Sequence, residues 1–187
     1  MLYVVPNRYE KLNQIATGNI VTVDEVKAMA RMDLESEFLD DTIEGFIKSA
    51  ISRVEAYTGL ILLRTRLRAW YDGLPMVMKL NKQPNLEVEG LFVNGMGFGG
   101  YEVQTMETFT NIILEGRGEP DQADSVYADI LVGWESVSDI PQEIKTAIAN
   151  MAVKMLTGDC GDNLILTKGA KDLLRPFRNE AQWMEIQ

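Results

Sequence analysis

Residues 39–59 read LDDTIEGFIKSAISRVEAYTG. Leu39, Ile43, Phe46, Ile47, Ala50, Ile51, Val54 and Tyr57 recur at three- and four-residue steps, the spacing that lines one face of an α-helix. Asp40 and Asp41 put negative charge in the first turn, where it complements the helix dipole. Glu44 and Lys48 form a correctly oriented i,i+4 pair. Gly59 can take the left-handed conformation that closes a helix. The spacing predicts a helix over 37–58. Gly45 inside it costs about 1 kcal/mol relative to Ala. Either a close crossing by another helix or plain chance accounts for it.

Working outward, Thr22-Val-Asp-Glu25 has the form of a capping box. The Thr22 hydroxyl can accept from the Glu25 amide while the Glu25 carboxylate reaches back. This predicts a helix over 22–34, with Val23, Val26, Met29 and Ala30 on one face. Residues 1–20 show no sustained period and read as an N-terminal arm.

Past Gly59 the period changes to two. Leu63, Thr65, Leu67, Ala69 and Tyr71 alternate with Arg64, Arg66, Arg68 and Trp70. Strand-like stretches follow at 76–80, 86–93, 101–106, 109–114 and 126–134. Between most of them stand turn signals such as Asp72-Gly73, Pro84-Asn85, Asn94-Gly95 and the run from Gly116 to Pro120. Short strands divided in this way predict antiparallel hairpins, and so a β region over 60–134. A further helix is expected over 141–157. Pro141 suits its first turn, and Ile144, Ile148, Met151 and Met155 form its stripe. A last short helix is expected over 168–175, broken by Pro176, before a tail at 179–187. The fold class expected is α+β: a small helical bundle with an antiparallel β region inserted between its second and third helices.

The chain has 187 residues, 46% of them hydrophobic and 25% charged. A chain of this size buries roughly 70% of its unfolded surface, so it needs neither disulfide nor metal to fold. The single cysteine, Cys160, allows no intrachain disulfide and fits a reducing compartment. No signal peptide and no apolar run long enough to span a bilayer are evident. The expectation is a soluble cytoplasmic protein. A formal charge of −10 argues against sequence-reading DNA binding, which depends on neutralising phosphates. The chain contains no histidine. That removes the commonest general base near neutral pH and the commonest metal ligand.

Several motifs admit a chemical reading beside a plainer one. Residues 95–100, GMGFGG, match the dinucleotide fingerprint G-x-G-x-x-G. That motif must open a helix whose N-terminus binds the pyrophosphate, and Tyr101 to Thr105 alternate like a strand instead. A glycine-rich hairpin loop is the preferred reading. Glu115, Glu119, Asp121 and Asp124 form one acidic loop, and Asp159, Asp162 and Asn163 another. Both lack EF-hand spacing, and solvated loops are preferred. No catalytic, metal-binding or cofactor-binding residue is assigned, and no cofactor is expected. Arg64, Arg66 and Arg68 stand two residues apart, so a strand would point all three to one face. That basic stripe is either a solvated face or an inter-subunit contact with an acidic surface. Trp183, in a tail with little else to bury, either meets a partner or folds back on its own domain.

The order of these motifs resembles the head–tail connector (adaptor) proteins of tailed bacteriophages, in particular the subgroup with a β insertion between helices two and three. The likeness runs over residues 20–178. It is carried by the Thr22–Glu25 cap, Asp40-Asp41 before Ile43, and Arg53-Val-Glu-Ala-Tyr-Thr-Gly59. Gly133-Trp134 before Ile140-Pro141, and Leu173-Leu-Arg-Pro-Phe-Arg178, complete it. The resemblance implies a connector domain over 21–178 and a non-enzymatic ring subunit, about twelve to a ring, sited below the portal in the virion neck. Such a ring would be assembled in the host cytoplasm, extend the DNA channel and carry the next neck or tail protein. It also implies that the C-terminal segment meets the portal, through Leu173, Leu174, Arg175, Phe177, Arg178 and, further on, Trp183. A tail-completion or stopper factor of the neck is the alternative, and a metal-dependent enzyme using acidic residues a more distant one.

Overall fold

A computed structural model describes residues 3–35, 37–81, 83–107, 109–115, 125–158 and 166–178. The tail with Trp183, the second acidic loop with Cys160, and Glu119, Asp121 and Asp124 lie outside the described residues. Four α-helices and eight β-strands are present among those described. They fall into two compact units. A β unit is built from Met1–Thr17 and Ile61–Glu135, and an α unit from Gly18–Leu60 and Ser136–Arg178.

In the α unit, the Thr22 cap forms as its sequence requires. The Glu25 amide donates to Thr22 Oγ1 at 3.2 Å and the Thr22 amide donates to Glu25 Oε2 at 2.7 Å. Helix α1 spans only Val23–Met29, shorter than expected, because Arg31 adopts a left-handed φ of 57°. Helix α2 spans Asp40–Thr58 and is closed by Gly59 at φ 71°, whose amide donates to the Glu55 carbonyl at 2.8 Å. Ile43, Ile47, Ala50 and Val54 are its buried face. Helix α3, Gln142–Leu156, has Pro141 as its N-cap rather than within its first turn. It buries Ile144, Ala147, Ile148, Met151 and Ala152 and packs against α1 and α2. Helix α4, Lys168–Leu174, is capped by Thr167 and followed by a 3-10 turn at Arg175–Phe177. Proline tolerates that turn because it falls at the start, where a missing amide costs nothing.

The β unit holds two antiparallel sheets. Strands β1 (Arg8–Gln14), β2 (Thr65–Tyr71), β3 (Val77–Asn81), β4 (Glu87–Val93), β5 (Met96–Phe98), β6 (Tyr101–Thr105), β7 (Phe109–Leu114) and β8 (Val126–Val132) are arranged as β1-β2-β8-β4-β5 and β3-β7-β6. Leu67, Ala69 and Tyr71 on β2, Leu91 on β4, and Ala128, Ile130 and Val132 on β8 share one apolar core with Met78, Leu80, Ile112 and Leu114 of the three-stranded sheet. Each fully buried Leu, Ile, Val or Met side chain among them contributes roughly 1.5–3 kcal/mol.

The expected small helical bundle with an inserted β region is overturned. The protein is a mixed α+β fold in which two antiparallel sheets are a major part. Two features of the sequence concealed this. Residues 8–14, read as part of an arm, are the edge strand β1, paired with β2 from Arg8↔Trp70 to Gln14↔Thr65. Six of its seven side chains are exposed, so burial imposes no alternation on them. Residues 96–98, read as part of a glycine-rich loop, form β5. Asn94 and Gly95, with φ of 52° and 78°, make the two-residue turn that pairs β5 with β4. Asn-Gly favours this left-handed hairpin turn.

Candidate interaction surfaces

The arginine stripe lies on the five-stranded sheet. From Thr65 to Tyr71 the side chains of β2 alternate strictly, buried on odd numbers and half-exposed on even ones. Arg66 and Arg68 therefore share the outer face. Arg64 stands just before the strand and is buried, with only 6% exposed. Each arginine has a carboxylate within its own chain. Arg64 pairs with Glu87 at 2.7 Å and donates to the Asn85 carbonyl. Arg66 grips Glu89 through two bonds, at 2.5 and 2.7 Å. Arg68 grips Asp129 the same way, at 2.7 and 2.9 Å.

The backbone explains two of these matches. Arg68 and Asp129 are direct cross-strand partners in the β2–β8 ladder. Glu89 is the extra residue of a bulge between Val88 and Gly90 on β4, and a bulge re-aims a side chain. Paired carboxylates hold both Arg66 and Arg68 further above the usual arginine range, through the hydrogen bond first in each case. The stripe is thus a ladder of ion pairs rather than a row of uncompensated cations.

An aromatic row lies beside it on the same face. Trp70, Tyr127 and Phe92 are neighbours across β2, β8 and β4. The Trp70 and Tyr127 rings lie 4.9 Å apart and tilted, and Phe92 stacks on Tyr127 at 5.0 Å. Arg68 covers Tyr127 at 4.0 Å and Arg8 covers Trp70 at 4.9 Å. Each such cation–π contact contributes about 0.5–1 kcal/mol at an exposed site. The result is an amphipathic sheet face of paired charges and stacked rings. The sequence reading missed it because it took Trp70 as the end of an alternation and did not pair it with Tyr127 or Phe92.

The described C-terminal candidates, Leu173 to Arg178, lie in the α unit. Leu174 is fully buried and belongs to its core. Leu173 and Phe177 are half-buried, while Arg175 and Arg178 are exposed. Arg175 pairs with Asp172 at 2.7 Å, and the Arg178 guanidinium sits 5.5 Å from the Tyr57 ring in the last turn of α2. Lysines 168 and 171 continue the basic character upstream.

Gly95–Gly100 serves as a hairpin turn, β5 and the link to β6, and no helix follows it. Among the described residues, no group of three or more His, Cys, Asp or Glu could hold a metal ion, and no helix is long and apolar enough to cross a membrane.

No protein-family model matches the chain, and no curated protein matches it. Solved structures do. A chain in the "Neck of empty GTA particle computed with C6 symmetry" superposes with a TM-score of 0.70 at 19% identity, over 91% of this chain and 94% of that one. A chain in the "Neck of native GTA particle computed with C12 symmetry" gives 0.65 at 17% identity, over 90% and 95%. One in the "Virion of native gene transfer agent (GTA) particle" gives 0.66 at 16% identity, over 91% and 94%. At these identities the likeness is one of fold, and it extends over nearly the whole of each chain.

Proposed function

We propose that this chain is a structural, non-enzymatic subunit of the neck of a tailed-phage-like particle. It forms a head–tail connector ring that binds below the portal, extends the DNA channel and carries the next neck or tail component. The observation behind this reading is the end-to-end likeness of fold to chains from particle necks. Those necks were solved with six- and twelve-fold symmetry, which fits a ring of copies around an axis. The motif order that resembles connector proteins supports it independently.

In this reading the connector domain covers 21–178. Leu173, Arg175, Phe177 and Arg178, leading on to Trp183, face the portal, and the buried Leu174 holds their segment to the core. Arg66 and Arg68 lie at the inter-subunit contact, while Arg64 is buried beneath it and pairs with Glu87. Their internal pairing means that a neighbour would meet the whole ladder with its aromatic row, not bare cations. The charge of −10 suits a channel that repels phosphates and keeps the duplex sliding.

Light scattering of the pure protein, with and without its cognate portal, tests the proposal. A ring, alone or on the portal, is the expected result. A monomer that ignores the portal overturns it. Tight duplex binding by the ring at moderate salt would refute the repelling lumen.

A further inference from the structure

The α unit has two chemically opposite ends. Residues 32–47 hold six acidic residues and no basic one. Within them, Phe38 is 91% exposed and Leu34 is 52% exposed. The buried Lys27 ammonium binds the Asp40 carboxylate at 2.5 Å and the Leu34 carbonyl at 3.4 Å, which fastens both sides of Phe38. An aromatic side chain held in water by a pinned backbone, with Asp33, Glu35, Glu37 and Asp41 exposed around it, has the make-up of a contact anchor with an acidic rim.

The opposite chemistry sits in the segment 167–178, with four basic residues and one acidic one. Lys168 and Lys171 on α4 and Arg175 at its C-cap are spaced three and four apart, so they share one face. Ala170 and Leu174 bury the other. The half-buried Leu173 and Phe177 add apolar surface. Arg178 stacks over Tyr57, which anchors this segment at the C-terminal end of α2. The acidic stretch surrounds the N-terminal end. At about 1.5 Å per residue along α2, Asp41 lies about 24 Å from Tyr57, where Arg178 sits, well beyond the ~8 Å over which exposed charges act at physiological salt. Among the described residues no ion pair joins Lys168, Lys171 or Arg175 to the acidic stretch: Arg175 pairs with Asp172, and Asp40 with Lys27.

We propose that the two ends neutralise one another between copies: the acidic, Phe38-bearing end of one α unit docks on the basic α4 face of the next. Like ends repel, so the contact is head-to-tail, and a heterologous contact of this kind closes a ring when the rotation permits. The proposal rests on the reading of the chain as a ring subunit and supplies that ring with a specific seam. Lys168 and Lys171 carry it and lie outside the residues assigned to the portal, whereas Leu173, Arg175 and Phe177 beside them belong to that assignment.

The test uses two charge-reversed full-length chains, E35K/E37K and K168E/K171E. Both sets of positions are solvent-facing or at helix ends, and circular dichroism checks folding. Sedimentation velocity follows self-association, on the cognate portal if the chain alone is monomeric. Each reversed chain is expected to associate at least about tenfold more weakly than the wild type, and F38A likewise. An equimolar mixture of the two reversed chains should recover wild-type association, because alternating copies restore every acid–base seam. Wild-type behaviour of either reversed chain, or a mixture no better than its components, overturns the seam and leaves the ring reading standing. Association rescued by mixing that stops at a dimer upholds the seam and overturns the ring.

Discussion

A Cβ placed on Gly133 would lie 2.5 Å from the carbonyl oxygen of Leu63. The two backbones are held this close by a pair of bonds on either side. The Trp134 amide donates to the Leu62 carbonyl at 3.0 Å, and the Arg64 amide donates to the Trp134 carbonyl at 2.9 Å. Gly133 also has φ of 95°, which side chains strain to adopt. The Gly-aromatic pair at the end of β8 is therefore the point where the chain entering β2 is clamped to the chain leaving β8.

G133A is expected to destabilise the protein by on the order of 3 kcal/mol or more, since both the backbone angle and the clamp must give way. Urea unfolding followed by tryptophan fluorescence measures it. A loss below about 1 kcal/mol would show that the clamp yields easily.

The buried Lys27 depends on Asp40 for its counter-charge, at 2.5 Å. Removing only the carboxylate leaves a desolvated ammonium, whereas removing the ammonium leaves a carboxylate whose Oδ1 is buried but whose side chain is 36% exposed. D40N should therefore cost more than K27M, by about 1–2 kcal/mol. Thermal unfolding of the two single variants gives the order, and the reverse order would contradict the pairing.

Gly45 has no heavy atom within 4 Å of where a Cβ would stand, so no close helix crossing among the described residues explains it. G45A should stabilise α2 by about 1 kcal/mol. A rise in the urea midpoint with an unchanged slope is the expected observation. A loss of assembly without a loss of stability would show that another subunit needs the space.

The Tyr71 hydroxyl is buried and has no hydrogen-bond partner among the described residues. Burial raises its pKa well above the ordinary tyrosine value, so it stays neutral and gains nothing from ionisation. Y71F removes an unsatisfied polar atom while keeping the ring in the core. It should be neutral or stabilising by up to about 1 kcal/mol in chemical denaturation, and a clear loss would reveal an unseen partner.

The helices were legible because their signals are local. The α2 stripe, the Thr22 cap and the Gly59 stop are each set by residues within a few positions of one another. The alternation of β2 was legible for the same reason, since burial on one face shows in every second residue. The contact assignments were less so. Arg64, Arg66 and Arg68 were recognised as a stripe, and Glu87, Glu89 and Asp129 lay in stretches expected to be strands, yet nothing along the chain indicated which would meet.

What the sequence determined by itself is the set of elements with a buried face and the residues that start, stop and turn them. The tertiary structure decided which strands pair and in what register. That choice placed Asp129 opposite Arg68, let a bulge turn Glu89 toward Arg66, and made residues 8–14 a strand although their side chains carry no pattern. Periodicity records only how a residue is buried relative to its own neighbours in the chain. An edge strand is held by backbone hydrogen bonds to a distant partner, and those bonds are the same for every side chain.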